Sequence, residues 1–186
     1  NTNLVFGLEF ERQESESTND GTTDIASRNQ YGAFLHASSS FFDDILTFAE
    51  GARITEISEI DRAVTTFEAS GVLKFPFLNS RMHSSVAQGF RAPTLFETEG
   101  TIVDFSTGEL VSVGSQELEE EETLSFDTGY EQSLWSDSLT ADVTFFQIDA
   151  DQTIVFDFAN LTHLNGGGGK TQGIESSLTF VPCENL

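Results

Sequence analysis

His36, His83 and His163 are the only histidines, and none has a cysteine or a second histidine at metal-ligand spacing. Cys183 is the single cysteine, so no disulfide forms within the chain. Glycines 166–169 precede Lys170 and Thr171, which has the outline of a phosphate loop. That pattern requires glycine where Leu164 stands and a helix afterwards, and the sequence offers neither. Glu117, Glu119, Glu120, Glu121 and Glu122 form an acidic cluster. It lacks the alternating oxygen ligands and turn glycine of a calcium loop. No Ser-His-Asp or Cys-His set stands out among so many carboxylates. The residues therefore assign no catalytic group, no cofactor and no metal, and the ligand-contacting residues stay unknown.

Arg91 stands apart, within the stretch Gly-Phe-Arg-Ala-Pro-Thr-Leu-Phe-Glu at 89–97. A guanidinium matches the two oxygens of a carboxylate, so it would suit an anionic ligand or an acid of the protein itself. In the second case Arg91 fixes the following loop. Pro93 cannot donate to a strand ladder and holds Ala92 extended, so the chain leaves a sheet here at a fixed angle.

Strands must position this residue. Leu4, Phe6, Leu8 and Phe10 alternate with Val5, Gly7, Glu9 and Glu11, which places the two sets on opposite faces of one strand. Residues 12–27 read as a polar loop with Asp20-Gly21 as its turn. A second strand spans about 28–41, with Tyr31, Ala33, Leu35 and Ala37 on one face. After Asp43-Asp44 a third carries Leu46, Phe48, Ala52 and Ile54, with Glu50 interrupting the apolar row. A polar link at 56–62 leads to a fourth strand, with Phe67, Ala69, Gly71, Leu73 and Phe75 on one face. Residues 76–80 turn the chain into a fifth strand through Met82, Ser84 and Val86.

Residues 91–122 form the longest connection, with Ser106-Thr107-Gly108 among its turn signals. Unless functional, a structureless loop of this length argues against a compact soluble domain. Leu124, Phe126 and Tyr130 mark a sixth strand, and Ser136-Asp137 a short turn. Leu139, Ala141, Val143 and Phe145 begin a seventh that the pattern carries past Ile154, although Ile154-Val155-Phe156 is apolar on both faces. A loop around 160–169 precedes an eighth strand with Ile174, Leu178 and Phe180 on one face.

Composition narrows the class. With 31 acidic against 8 basic residues the formal net charge is −23, which excludes nucleic acid as a partner. No apolar run approaches the roughly 20 residues of a membrane helix, a test to which membrane strands are invisible. The first strand pattern begins without a signal peptide, so further upstream sequence is expected.

Two regularities point to a membrane. Links after strands one, five and seven are long, and those after two, four and six are short, as in an up-and-down outer-membrane barrel. Charge is also sorted. Glu50 is the one ionisable residue on the apolar rows, whereas Glu9, Glu11, Arg53, Glu68, Lys74, Arg81, Arg91, Asp127, Glu131, Asp142 and Glu175 occupy the opposite faces. A soluble sheet with one buried face sorts charge in the same way, so loop asymmetry carries the discrimination.

Residues 89–97, with the strand before them, resemble a segment of TonB-dependent outer-membrane receptors that leads from a barrel strand into an extracellular loop. Residues 29–34, 51–54, 124–131, 143–149, 151–154 and 173–175 are similar to further strands of that family, in family order. Residues 115–121 depart from it, lacking the prolines and lysine usual before the sixth strand. The resemblance implies an all-β fold: an antiparallel up-and-down transmembrane β-barrel segment, eight strands of a barrel of about 22 whose lumen is plugged. Residues 1–186 would be a partial barrel domain, with the plug domain and the C-terminal strands outside it.

The implied function is import of a scarce solute, such as siderophore-bound iron, a vitamin or an oligosaccharide, across the outer membrane of a Gram-negative bacterium. Implied partners are outer-membrane lipid, the TonB complex through the plug and its TonB box, and a small-molecule ligand at the extracellular loops. Catalysis has no part in it. Two alternatives fit the alternation. A soluble all-β binding module would have short loops at both ends. An outer-membrane barrel enzyme would bring a histidine and an acid together at the rim, and His83 and Asp127 lie on suitable rows.

Overall fold

The computed structural model describes residues 1–19, 22–58, 63–103, 106–135 and 138–181. The turns expected at Asp20-Gly21 and Ser136-Asp137, the end of the link at Arg62, and Cys183 lie outside the described residues. The strands are β1 (Thr2–Asn19), β2 (Thr22–Phe41), β3 (Leu46–Ile57), β4 (Val64–Phe75) and β5 (Ser80–Arg91). Helix α1 (Leu95–Glu99) and the short strands β6 (Thr101–Val103) and β7 (Leu110–Ser112) follow. The chain continues through β8 (Glu121–Leu134), β9 (Leu139–Asp151), β10 (Ile154–Asp157), β11 (Thr162–Asn165) and β12 (Gly169–Phe180). Eight strands form one sheet in the order β1-β2-β3-β4-β5-β8-β9-β12, every neighbour antiparallel. Sequence neighbours are therefore spatial neighbours, apart from two excursions that carry β6–β7 and β10–β11.

The register joins the predicted rows across strands. Leu8 lies opposite Ala33, Ala33 opposite Ile54, Leu35 opposite Ala52, and Ala52 opposite Phe67. Further along, Leu73 faces Met82, Met82 faces Tyr130, and Tyr130 faces Val143. Directly opposed residues share a face, so these rows form one continuous apolar surface. It is not covered: Leu8 is 84% exposed, Ile174 72% and Phe67 57%. A soluble sheet would have turned these residues onto a core, and exposure on this scale marks a surface made for another environment. Among the described residues no helix is long and apolar enough to cross a membrane, so any crossing is made by strands.

The opposite face is polar and internally paired. Arg53 bonds Glu9 at 2.6 Å, His36 meets Glu68 at 3.0 Å and Arg81 bonds Glu131 at 2.7 Å. Glycines on this face leave room for large neighbours: a Cβ on Gly173 would come within 2.9 Å of the Phe146 ring.

Three expectations need correction. Residues 12–27 are not a loop, because β1 and β2 run on as one long hairpin with Gln13 opposite Arg28 and Glu16 opposite Ile25. From Arg12 to Glu16 polar residues occupy both faces, so alternation gave no sign of the strand. The seventh strand does not continue past Ile154. It ends at Asp151, where Gln152 takes a left-handed backbone (φ 54°), and Ile154–Asp157 forms a separate hairpin with Thr162–Asn165. The long connection after β5 is not structureless, because it holds α1 and the β6–β7 hairpin. Gly108, within an expected turn, has φ +76°, a conformation that suits glycine.

Extending the strands also bounds the apolar rows. Beyond Phe10, Ile54 and Phe145 the same face carries Arg12, Glu14, Glu56, Glu122, Asp149 and Lys170. Arg12 bonds Glu14 at 2.6 Å, and Lys170 approaches Asp149 at 3.8 Å. The apolar band thus closes towards the end that bears the long connections. In β3 it runs from Leu46 to Ile54, roughly 27 Å along the strand at ~3.4 Å per residue.

Candidate functional site

The long connections meet at one end of the sheet, and Arg91 is their common anchor. As the last residue of β5 it lies opposite Glu121, the first of β8, on the polar face. Its Nε and Nη2 donate to the two oxygens of Glu121 at 2.7 and 2.8 Å. Its Nη1 and Nη2 donate to Glu97 of α1 at 2.8 and 3.2 Å. One planar guanidinium thus grips two carboxylates in the forked geometry that lysine cannot reproduce. Of the two sequence readings of Arg91, these bonds realise the second: the arginine fixes the loop that follows it.

The helix explains why Glu97 is available. Pro93 ends the strand and Thr94 caps α1: the Glu97 amide donates to Thr94 Oγ1 at 3.2 Å, and the Thr94 amide donates to Glu97 Oε2 at 2.6 Å. This reciprocal capping box needs only threonine followed three positions later by glutamate. It also aims both Glu97 oxygens back at Arg91. Burial pushes the Glu97 carboxyl up, but the bonds from Arg91 and Thr94 outweigh that and hold it below the usual carboxylate range. Glu121 is shared in turn, its Oε1 accepting from the Ile154 amide at 2.6 Å. That bond takes up an amide left unpaired where β9 stops.

A second joint ties the two connections directly. The Asn165 side chain accepts from the Glu119 amide at 2.8 Å and donates to the Glu119 carbonyl at 3.0 Å, as a strand partner would. Beside it the His163 amide and ring Nδ1 lie 3.2 and 3.0 Å from the Val113 carbonyl. The His163 ring stands edge-on to Phe156 and Phe96, at centroid distances of 5.0 and 5.8 Å. Val113, Leu95, Ile57 and Val64 are the buried apolar side chains among the described residues. Behind α1 a cavity of about 250 Å³ remains, lined by Arg28, Ile57, Pro93, Thr98, Gln116 and Leu118 among others. Arg28 spans it, donating to Gln13 Oε1 at 2.9 Å and to the Pro93 carbonyl.

The other sequence candidates separate. His36 pairs with Glu68, and His83 lies 3.2 Å from Thr144 Oγ1. Asp127 accepts from Ser85, so His83 and Asp127, the pair an enzyme reading would need, have different partners. The acidic run is divided: the Glu119 backbone joins Asn165, Glu120 is buried, Glu121 holds Arg91, and Glu122 lies on the outer row. Among the described residues no group of three or more His, Cys, Asp or Glu side chains has the geometry to hold a metal. Lys170 and Thr171 lie in β12, with no helix after the glycines. Glu97, Glu121 and Asn165 were missed from the sequence, although the Thr94-x-x-Glu97 box was a readable signal.

A wall that is dry outside and paired inside, with its long connections packed together at one end, defines a transmembrane antiparallel β-barrel. This chain is an open, eight-stranded part of one. A family model described as TonB dependent receptor-like, beta-barrel matches residues 1–181, and the chain belongs to that family. No curated protein matches the sequence. Among solved structures the siderophore receptor PirA from Pseudomonas aeruginosa superposes with a TM-score of 0.82 at 16% identity, over 99% of this chain and 37% of that one. The RagAB peptide transporter gives 0.76 at 14% identity, over 99% of this chain and 26% of that one. The FrpB iron transporter from Neisseria meningitidis gives 0.71 at 14% identity, over 98% of this chain and 32% of that one. At these identities the likeness shows a shared fold. The chain spans between about a quarter and two fifths of the length of these structures.

Proposed function

We propose that the chain is a middle part of the barrel of an outer-membrane importer that takes up a scarce solute, such as an iron chelate, a vitamin, an oligosaccharide or a peptide, in a Gram-negative bacterium. The match of residues 1–181 to the receptor barrel family carries this reading. The family consists of transport receptors, so the barrel's work is binding and passage and not bond-making. Outer-membrane lipid covers the apolar band, the ligand is met first by the connections at the rim, and TonB acts through a plug domain outside these residues. The likeness to PirA, RagAB and FrpB, a siderophore receptor, a peptide transporter and an iron transporter, supports a solute of that kind.

The test is uptake by cells carrying or lacking the full-length protein, with and without TonB, using labelled ferric siderophores, cobalamin, oligosaccharides and peptides. The expected result is one solute class whose uptake requires both the protein and TonB. Recovery of the protein in a soluble fraction, or uptake indifferent to both deletions, overturns the proposal.

A further inference from the structure

Two arginines on the polar face are treated in opposite ways. Arg91 is exposed and grips two carboxylates. Arg28 of β2, opposite Gln13, is only 8% exposed, and among the described residues no carboxylate lies within ion-pair distance of it. A guanidinium keeps its charge, and arginine is rarely buried without a partner of opposite sign. The partners here are neutral. Nε donates to Gln13 Oε1 at 2.9 Å, and Nη1 donates to the Pro93 carbonyl. Gln13 Nε2 donates in turn to Glu11 at 2.6 Å, so an acid is reached only through an amide. Both N–H groups of Nη2 are without an acceptor among the described residues.

Arg28 lines the cavity behind α1 together with Pro93, the residue its Nη1 bonds. A buried charge left without a counter-charge is costly, so this space calls for an anion. The other walls restrict which one. At about 250 Å³ the cavity holds roughly eight non-hydrogen atoms at ~30 Å³ each, a water molecule's share. Ile57, Pro93 and Leu118 give it apolar walls. The Thr98 hydroxyl already donates to the Thr94 and Leu95 carbonyls at 3.3 Å, so it offers the cavity lone pairs only. Gln116 and Glu99 also line it, and both are exposed, which puts the cavity within reach of water. The Glu99 carboxylate opposes a second negative charge, although water weakens its field. One negative charge on a small hydrocarbon body meets all of these demands. A carboxylate supplies it in the planar, two-oxygen form that a guanidinium matches. Inorganic phosphate carries more charge and has no apolar surface for Ile57 and Leu118.

We propose that this cavity binds a small organic monocarboxylate, whose oxygens take the N–H groups of Arg28 that the protein leaves free and whose hydrocarbon part lies against Ile57 and Leu118. The inference is independent of the importer reading, because binding is measured on the protein itself, whether or not the ligand crosses the membrane. Its test uses the purified full-length protein in nanodiscs, titrated with butyrate and followed by saturation-transfer NMR. Butyramide, the uncharged counterpart, and inorganic phosphate are titrated beside it. Saturable binding of butyrate is expected, with butyramide and phosphate at least roughly tenfold weaker, the worth of one charge-assisted hydrogen bond.

Arg28→Gln removes the cation and is expected to abolish that saturation. Leu118→Trp fills the cavity while keeping Arg28, and it is expected to abolish saturation too, which keeps the test decisive if the first variant fails to fold. A heat-dependent mobility shift on gels shows which variants keep the barrel. Absence of saturation by butyrate, or butyramide or phosphate binding as tightly as butyrate, overturns the inference. So does unchanged butyrate binding by either variant in its folded form.

Discussion

The wall and the rim of this sheet are stabilised in opposite ways. Along the wall the large apolar side chains are exposed, and among the described residues no internal core lies beneath them. At the rim Ile57, Thr55, Val113 and Glu120 are almost wholly inaccessible, and a helix, two hairpins and a forked arginine hold the connections together. Under the proposed membrane placement the wall leaves its hydrophobic burial to the bilayer, whereas the rim stands in water and makes a core of its own. The short-turn end shows what a connection looks like without that need. The turns there carry Phe42, Phe77 and Trp135 well exposed, an arrangement suited to the aromatic girdle at a membrane surface.

Four measurements sharpen or break this contrast. The largest effect is expected in the wall. Phe48→Arg puts a cation on the lipid side and is expected to cost about 2–4 kcal/mol of folding free energy in bilayers. Thr47→Arg, on the opposite row of the same strand, is expected to cost under about 1 kcal/mol. Equal costs for the two would remove the distinction between faces. Next is Arg91→Ala, which takes their shared cation from Glu97 and Glu121, leaving them the Thr94 and Ile154 amides, and is expected to weaken rim docking by roughly 1–3 kcal/mol, given that the site is partly exposed. Hydrogen exchange should quicken across 92–120 and 152–168 and stay unchanged in β3 and β4. Uniform quickening along the sheet would mean that wall and rim are one cooperative unit.

Asn165→Ala is expected to cost about 1 kcal/mol and to loosen only the joint between the two connections. Exchange at the Glu119 amide, which donates to Asn165 Oδ1, reads that directly. The mildest expected change follows acidification. The lowered Glu97 value means that the docked form binds fewer protons than the undocked one. Docking is therefore complete above about 4.3, the ordinary glutamate value, and weakens as pH falls through the lowered value. Glu97→Gln should shrink that acid-side loss to the part set by Glu121, whose carboxyl the bonds from Arg91 and the Ile154 amide also hold low, and an unchanged pH response in this variant would rule out Glu97 as a source.

The wall was legible in the sequence because a two-sided environment imprints a two-residue period. Leu4 to Phe10, Leu46 to Ile54 and Leu124 to Phe126 carry that imprint, and the register confirms their shared face. It fades wherever water lies on both sides. Arg12, Gln13 and Glu14 belong to β1, yet nothing in their order distinguishes them from a loop. Ile154-Val155-Phe156 misled in the other direction, because a hairpin packed within the rim is apolar on both faces. Arg91 was legible through its motif and Pro93. Its partners were less so, since Glu121 lies 30 residues away and the Glu119–Asn165 joint spans 46. Pairings of that range depend on the fold itself and leave no local trace.

The Asn165 amide, bonded to both backbone groups of Glu119, has a practical consequence for anyone exchanging parts between receptors. A graft that replaces one of these surface segments alone discards half of a lock and strands the other half. Donor segments spanning 92–120 and 152–168 would have to travel as a matched pair, together with the residue that fills position 91.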